Sequence, residues 1–200
     1  MNRGKYICFE GGDGSGKTTL CAALCERLGD KAVAKCFPSD GVVGSLIRQG
    51  LMGSAPIESK PFLYLFAADG LQEELWIQDQ LEEQGKHVIC DRHPTLSGRV
   101  FQLEHHSTEQ IEAVCGASAF DGISMPDVLF VVDIPADEAL WRMKGRDKYF
   151  DAVFEKFDTS HIEKIRDRYL GIASRFGATI LDGTKPMSEL VDLVFEHMGW

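Results

Sequence analysis

The chain has 200 residues, with 21 basic and 31 acidic side chains and a formal net charge of -10 at pH 7. This length predicts one domain, residues 1–200, built around a single core. Hydrophobic residues make up 44% of the chain and charged residues 26%, which is typical of a globular protein and not of a disordered one. The acidic balance argues against nonspecific binding to nucleic acid or to an anionic membrane, so an anionic ligand needs a local basic cluster.

The amino terminus and the cysteines together predict a cytoplasmic protein. Only four apolar residues, 6–9, precede Glu10, which is too few for the core of a signal peptide. The longest stretch without Asp, Glu, Lys or Arg has nine residues, 49–57, whereas a membrane-spanning helix needs about 18. The chain has no CxxC pair, and we interpret its six cysteines as reduced core thiols rather than as disulfide partners or zinc ligands. They are Cys8, Cys21, Cys25, Cys36, Cys90 and Cys115.

Short runs rich in β-branched residues alternate along the chain with apolar residues at helical spacing. The predicted strands are residues 5–10, 31–37, 86–91, 127–133 and 178–182. The clearest helical patterns cover residues 20–28, 162–176 and 190–198. This alternation predicts an α/β fold with a five-stranded parallel sheet flanked by helices. No repeat, low-complexity tract or linker divides the chain.

The strongest motif directly follows the first predicted strand. Residues 11–18 read Gly-Gly-Asp-Gly-Ser-Gly-Lys-Thr, which satisfies GxxxxGK[ST] at every fixed position, and a helical pattern comes next. Such a loop binds the β-phosphate of a nucleotide with backbone N–H groups, while Lys17 bridges the β and γ oxygens and Thr18 ligates Mg²⁺. The predicted phosphate-binding residues are Gly11, Gly12, Asp13, Gly14, Ser15, Gly16, Lys17, Thr18 and Thr19.

A phosphate-binding loop occurs in kinases, in nucleotide-driven switches and in ATP-powered motors. A chain of 200 residues leaves little room for the coupling apparatus of a motor. An Asn-Lys-x-Asp segment for recognising guanine, which a guanine-reading switch is expected to carry, does not occur in the sequence. The sequence therefore favours a small kinase.

Several segments of the chain resemble the thymidylate kinase family, and the resemblance covers essentially the whole chain. Residues 9–19 resemble the family's opening segment, which implies that Asp13 contacts the 3′-hydroxyl of the acceptor sugar. Gly-Ser-Leu-Ile-Arg, ending at Arg48, is similar to the stretch whose arginine clamps the acceptor monophosphate. Phe-Leu-Tyr-Leu-Phe-Ala-Ala-Asp at residues 62–69 looks like the helix whose phenylalanine stacks on the base, which implies that role for Phe66.

A further segment, Val-Ile-Cys-Asp-Arg-His, resembles the family's strand that is followed by Asp-Arg-Tyr. The resemblance implies that Asp91 orients the Mg²⁺ shell or the attacking phosphate, and that Arg92 bridges the acceptor and the transferred phosphoryl group. Such a charged pair ends a parallel strand, where ligands bind to open α/β sheets. Ser97 and Phe101 resemble the acceptor-site pattern Ser-Gly-x-x-Phe if one extra residue is admitted before Ser97.

Residues 139–149 are similar to the family's mobile lid, which we assign to about 142–155. Four cations lie within it: Arg142, Lys144, Arg146 and Lys148. The phosphate-binding loop contains no arginine, and in such family members the catalytic arginine comes from the lid. The resemblance therefore implies that Arg146, or next Arg142, stabilises the γ-phosphoryl group. Tyr149 lies near the position of a family tyrosine close to the acceptor base.

Three departures from the family pattern concern the acceptor site. Gly70 stands where the family has Arg, His93 stands where it has Tyr, and one extra residue separates Arg92 from Ser97. They keep open a kinase for a modified pyrimidine nucleotide or for a free deoxynucleoside such as thymidine. A non-catalytic nucleotide sensor is a further alternative.

The resemblance as a whole implies a three-layer P-loop kinase fold and a magnesium-dependent enzyme on the route to dTTP. Its partners would be ATP and a pyrimidine deoxynucleoside monophosphate, with dTMP to dTDP as the favoured reaction, and neither nucleic acid nor a membrane. Related kinases form homodimers, and the apolar helix at residues 61–68 is a candidate interface.

Overall fold

The computed structural model describes residues 2–102, 106–115, 122–144 and 158–200. Five strands form a parallel sheet in the order β2-β3-β1-β4-β5. They are β1 (Tyr6–Glu10), β2 (Ala32–Cys36), β3 (His87–Asp91), β4 (Val128–Asp133) and β5 (Thr179–Asp182). Each strand begins and ends within one residue of its predicted bounds, so the predicted α/β fold is confirmed.

Helices connect the strands and flank the sheet. They are α1 (Lys17–Leu28), α2 (Val42–Leu51), α3 (Ser59–Gln78), α4 (Pro94–Gln102), α5 (Thr108–Cys115), α6 (Ala136–Met143), α7 (Thr159–Phe176) and α8 (Met187–Met198). The predicted helical patterns at residues 20–28, 162–176 and 190–198 are confirmed in α1, α7 and α8. Asp158 caps α7, because its carboxylate accepts a hydrogen bond of 2.9 Å from the backbone N–H of His161.

One compact unit comprises Met1–Cys8 and Asp30–Val128. Within it β2 and β3 pair in register from Ala32 opposite His87 to Cys36 opposite Asp91, so Asp91 lies at the carboxyl edge of the strand pair. Helices α2 and α4 both pack on α3. We call this the acceptor unit, because it carries the predicted acceptor residues on α2, α3, α4 and the end of β3.

The other compact unit comprises Phe9–Gly29 and Leu129–Trp200. Within it β4 pairs with β5, and the ring of Phe9 stacks on that of Phe130 with centroids 5.2 Å apart. An apolar cluster between α6 and α7 includes Ala139, Met143 and Ile162. We call this the donor unit, because it contains the phosphate-binding loop and the first residues of the predicted lid.

The five cysteines whose side chains are described are free thiols. Cys8, Cys21 and Cys90 are buried, as predicted for core thiols, whereas Cys25 and Cys36 are half-buried. The side chain of Cys115 lies outside the described residues. Among the residues that the structure describes, no helix is long and apolar enough to cross a membrane. The single domain and the cytoplasmic location stay predictions.

Candidate active site

The phosphate-binding loop runs from the end of β1 to the start of α1 and depends on glycine at two close approaches. Gly11 has a φ of 140°, and a Cβ there would lie 2.4 Å from the carbonyl oxygen of Val132. Gly14 has a φ of 81°, and a Cβ there would lie 2.8 Å from the carbonyl oxygen of Ala139. A side chain at either position would clash with backbone, so the tight curl of the loop requires these glycines.

Lys17, the first residue of α1, lies within this loop and is 5% exposed. Its ammonium group donates hydrogen bonds to the carbonyl of Gly12 (2.8 Å) and to the hydroxyl of Ser15 (3.2 Å). Thr18 and Thr19 follow in the exposed first turn of α1. A cation, a helix N-terminus and backbone N–H groups together form an arrangement suited to phosphate.

The oxygen atoms of Thr18 and Asp91 are the donors that the sequence proposes for a metal ion. Hydroxyl and carboxylate oxygens suit Mg²⁺, a hard cation that is usually held by one or two protein oxygens together with substrate phosphates and water. Within the described residues no group of three or more His, Cys, Asp or Glu side chains could hold a metal ion. The hydroxyl of Thr18 and the carboxylate of Asp91 are thus chemically suited to Mg²⁺, and magnesium binding stays a prediction.

Arg142 lies in the last turn of α6, and its guanidinium group already has partners. Its Nε donates to the carboxylate of Glu138 (2.7 Å), and its Nη1 donates to the carbonyl of Gly183 (2.9 Å). An open depression of about 610 Å³ adjoins it within the donor unit. This depression is lined by Gly14, Gly16, Thr19, Trp141, Arg142, Lys144 and Met187.

Helix α6 ends at Met143, so Arg142 is helical whereas Lys144 terminates the helix. The other lid residues that the sequence proposes, Arg146, Lys148 and Tyr149, lie outside the described residues. Their roles stay predictions.

The donor unit also contains an ion pair that the sequence analysis missed. Arg166 on α7 binds Asp133 at the end of β4 through two hydrogen bonds, Nε to Oδ1 (2.6 Å) and Nη2 to Oδ2 (2.7 Å). These bonds to the carboxylate raise the pKa of Arg166. The pair and the exposed Asp13 line a small cavity of about 20 Å³. Asp133 ends a buried parallel strand as Asp91 does, and that position was the available signal.

Arg48 projects from α2 in the acceptor unit and is held by the loop that follows β2. Its Nη1 donates to the carbonyl of Pro38 (2.6 Å), and its Nη2 lies 3.4 Å from the exposed carboxylate of Asp40. The loop itself is fixed by buried Asp69 on α3, which accepts hydrogen bonds from the backbone N–H (2.7 Å) and the hydroxyl (2.5 Å) of Ser39. Arg48 is therefore a partly exposed cation on a fixed support.

Phe66 and Ser97, both proposed for acceptor binding, are buried, each with 1% of its surface exposed. Phe66 packs in a cluster with Ile47 and Phe62, against which Phe101 also lies. Stacking of a base on Phe66 thus requires a ring face that the surrounding residues cover, and this role stays a prediction. Phe101 is half-buried.

Asp91 and Arg92 follow one another at the carboxyl end of β3. The carbonyl of Asp91 accepts a hydrogen bond from the N–H of Phe37 (3.0 Å), and the thiol of Cys90 donates to the carbonyl of Arg92 (3.0 Å). The guanidinium carbon of Arg92 lies 5.3 Å from the ring centroid of Phe101, within cation–π range. The structure therefore brings together two of the residues that the sequence proposes for acceptor binding, and their roles stay predictions.

The departures at positions 70 and 93 are explained by packing. A Cβ on Gly70 would lie 2.7 Å from Cγ of Pro94 and 2.8 Å from Cδ1 of Ile123, so a side chain on this buried turn of α3 would displace its neighbours. His93 is fully buried, and burial lowers its pKa from 6.5 to about 4. Neither position presents a side chain to solvent, so both departures alter the support of the acceptor unit.

Comparisons with known proteins agree with the sequence resemblance. A family model described as thymidylate kinase matches residues 9–194. A probable thymidylate kinase of Methanocaldococcus jannaschii is 31% identical over 93% of this chain and 90% of its own length. A thymidylate kinase of Thermosipho melanesiensis is 34% identical over 96% of this chain and 94% of its own length. A thymidylate kinase of Leptospira borgpetersenii is 31% identical over 96% of this chain and 91% of its own length.

Proposed function

The chain belongs to the thymidylate kinase family, and on that premise we propose that it transfers the γ-phosphoryl group of ATP to dTMP, giving ADP and dTDP. The observation that carries the proposal is the phosphate-binding loop, which has Lys17 inside it, in a chain that matches the family over residues 9–194. We place the reaction in the cytoplasm, since free thiols such as the five described ones are expected in a reducing compartment.

The donor unit binds the phosphates of ATP. The backbone N–H groups of the loop and the N-terminus of α1 hold the β-phosphate, and Lys17 exchanges its bond to the Gly12 carbonyl for one to the phosphate oxygens. Thr18 and Asp91 are the residues that would hold Mg²⁺, which when bound neutralises charge on the phosphates. A lid arginine stabilises the negative charge on the transferred phosphoryl group, and we favour Arg146 over Arg142 for this role.

The acceptor unit binds the dTMP phosphate through Arg48 and Arg92. Arg48 is paired with the exposed carboxylate of Asp40, and the dianionic phosphate replaces this weak partner. The guanidinium group of Arg92 lies over the ring of Phe101, and its planar set of N–H donors binds the same phosphate. The attacking atom is an oxygen of the acceptor phosphate, so no covalent enzyme intermediate forms. Asp13 is assigned to the sugar 3′-hydroxyl, and Ser97 and Tyr149 to the acceptor side.

A panel of acceptors tests this function. ADP release is measured with dTMP, dUMP, a 5-modified dUMP, thymidine and dGMP under the same conditions, with ATP and Mg²⁺. We expect the highest kcat/KM with dTMP. Activity with thymidine alone would refute the monophosphate assignment, and measurable ATP binding without turnover of any acceptor would identify a sensor.

We propose further that the chain forms a homodimer through α3. Tyr64, Leu71 and Leu75 are exposed by 51%, 43% and 83%, and their spacing of seven and four residues aligns them on one side of the helix. The predicted interface at residues 61–68 shifts toward the carboxyl end of α3, because Phe62, Leu63, Phe66 and Ala67 are buried. A row of large exposed apolar side chains is typical of an interaction surface.

A further inference from the structure

Arg92 has an unusual backbone conformation. Its φ is 74°, and within the part of the chain that the structure describes it is the one non-glycine residue with positive φ. A side chain in this left-handed region costs free energy, so the surrounding contacts must hold the residue there. On the N-terminal side of Arg92, the thiol of Cys90 donates a hydrogen bond to the Arg92 carbonyl. On the C-terminal side the next residue is His93.

The ring of His93 is bonded at both nitrogens. Nε2 lies 3.0 Å from the carbonyl oxygen of Ser124, and because a carbonyl can only accept, Nε2 carries the proton. Nδ1 is then the acceptor for the backbone N–H of Thr95 (3.3 Å) and for its hydroxyl (2.9 Å). A neutral imidazole satisfies this pattern completely. Through its ring, His93 is hydrogen-bonded both to Thr95 at the start of α4 and to the segment around Ser124, so the chain directly after Arg92 is held in place.

The segment around Ser124 is itself fixed to α3. Glu74, buried on that helix, accepts hydrogen bonds from the backbone N–H of Ser124 (3.0 Å) and from its hydroxyl (2.5 Å). The amide of Gln78 donates to both side chains, at 2.7 Å to Glu74 and 2.8 Å to Ser124. The absence of a side chain at Gly70 admits Ile123 and Pro94 against the same helix. The carbonyl that His93 grips therefore belongs to a rigid support.

We propose that His93 is a positioning residue, which holds Arg92 in its left-handed conformation and so aims the Arg92 guanidinium at the acceptor phosphate. This inference rests on the proposed function, in which Arg92 binds that phosphate. It gives Gly70 and His93 a joint explanation, because the glycine makes room for the segment to which the histidine is bonded.

A double-mutant cycle tests the inference. The kcat/KM for dTMP is measured for the unsubstituted chain, His93→Leu, Arg92→Ala and the double variant. We expect His93→Leu to lower kcat/KM on the order of 100-fold, since small misplacements of a binding group have effects of that size. In the Arg92→Ala background the same substitution should change kcat/KM by less than about threefold, because His93 acts through Arg92. A merely structural role would reduce both backgrounds equally, and that result overturns the inference.

A histidine on the preceding strand provides the matched control. His87 lies at the amino end of β3, and its Nδ1 accepts a hydrogen bond of 2.9 Å from the backbone N–H of Lys5. We expect His87→Leu to leave kcat/KM within about twofold. If circular dichroism shows that His93→Leu does not fold, the cycle is run with His93→Gln, which keeps an N–H donor for the Ser124 carbonyl and removes the ring, and the same criterion applies.

Calorimetric binding of dTMP to the same four proteins separates this inference from the proposed function. An unsubstituted chain that binds dTMP without turnover would refute the kinase assignment, while the cycle in dTMP affinity would still report on His93. Coupling between the two positions supports the inference. Equal losses of affinity in both backgrounds, or binding that neither substitution affects, overturn it.

Discussion

At the scale of single residues, Lys17 shows how a bonded side chain becomes a phosphate ligand. Its ammonium group is bonded to a backbone carbonyl and a hydroxyl of its own loop, which are weak partners compared with a triphosphate. We expect Lys17→Ala to lower kcat by on the order of 10² to 10³-fold, as the loss of one charge-stabilising donor does elsewhere. Lys185→Ala is the control, because that exposed lysine pairs with Glu189. ADP release and circular dichroism measure both variants, and equal losses of kcat would contradict the assignment.

Of the two arginines that the sequence places in the lid, Arg142 is the one that the structure describes, and it already has partners. Arg142 donates to Glu138 and to the Gly183 carbonyl, so moving it onto a phosphate breaks two hydrogen bonds. We therefore expect Arg146→Ala to lower kcat by orders of magnitude and Arg142→Ala to lower it much less. Single-turnover phosphoryl transfer with saturating ATP distinguishes the two variants. Turnover near that of the unsubstituted chain in Arg146→Ala would refute the role of Arg146.

Burial of His93 makes stability depend on pH. Burial lowers the pKa of His93 to about 4. It outweighs the hydrogen bond to the Ser124 carbonyl and the charge of Glu74, which both raise the pKa, and the charge of Arg99 lowers the pKa further. The unfolded chain, with a pKa near 6.5, then binds the proton more tightly than the folded protein. The free energy of unfolding should fall by about 3 kcal/mol as the pH drops from about 6.5 to about 4. Urea unfolding at several pH values checks this, and His93→Leu should show a clearly smaller drop than the unsubstituted chain.

At the scale of helices, two glycines predict opposite effects of the same substitution. Gly70→Ala places a Cβ within 2.8 Å of both Pro94 and Ile123, and we expect the free energy of unfolding to fall by about 1–3 kcal/mol. Gly171→Ala on α7 places its Cβ in open space, and we expect a gain of about 0.5–1 kcal/mol from lower backbone entropy in the unfolded chain. Thermal unfolding measures both. Equal shifts in Tm would show that packing around Gly70 is looser than the distances indicate.

The strands and the phosphate-binding loop could be predicted because local sequence determines them. Buried parallel strands are short β-branched runs, and the loop requires glycine where Val132 and Ala139 approach it. The support of the acceptor side could not be predicted in this way. Gly70 and His93 are explained by Ile123 and Ser124, which lie 53 and 31 residues away along the chain. Single-sequence patterns do not reveal such distant contacts.

The ion pair of Arg166 with Asp133 escaped prediction for a related reason. The position of Asp133 at the end of a buried strand was visible in the sequence, but its partner lies 33 residues further along, on α7. Conversely, Phe66 satisfied a family motif and lies in the core, 1% exposed. A motif identifies the residue type at a position, whereas the exposure of its side chain depends on packing.

At the scale of the whole molecule, the net charge of -10 repels polyanions at long range, so nucleotide binding must depend on local cations. Each compact unit has its own. Lys17 and Arg142 lie in the donor unit, and Arg48 and Arg92 lie in the acceptor unit. Each unit thus carries cations suited to a phosphate group, as the proposed transfer of a phosphoryl group between two nucleotides requires.

Assembly into a dimer would cover the exposed apolar row on α3. Leu75 is 83% exposed on α3, in line with Tyr64 and Leu71, and burying this row against a second copy would remove apolar surface from water. We expect the chain, 22.2 kDa as a monomer, to sediment as a dimer at micromolar concentration and Leu75→Glu to sediment as a monomer. Ile180→Glu is the control, because Ile180 is 53% exposed on β5. If the unsubstituted chain sediments as a monomer, the dimer is contradicted. A glutamate buried in the interface without a partner is costly, so a dimer that survives Leu75→Glu would exclude α3 as its interface.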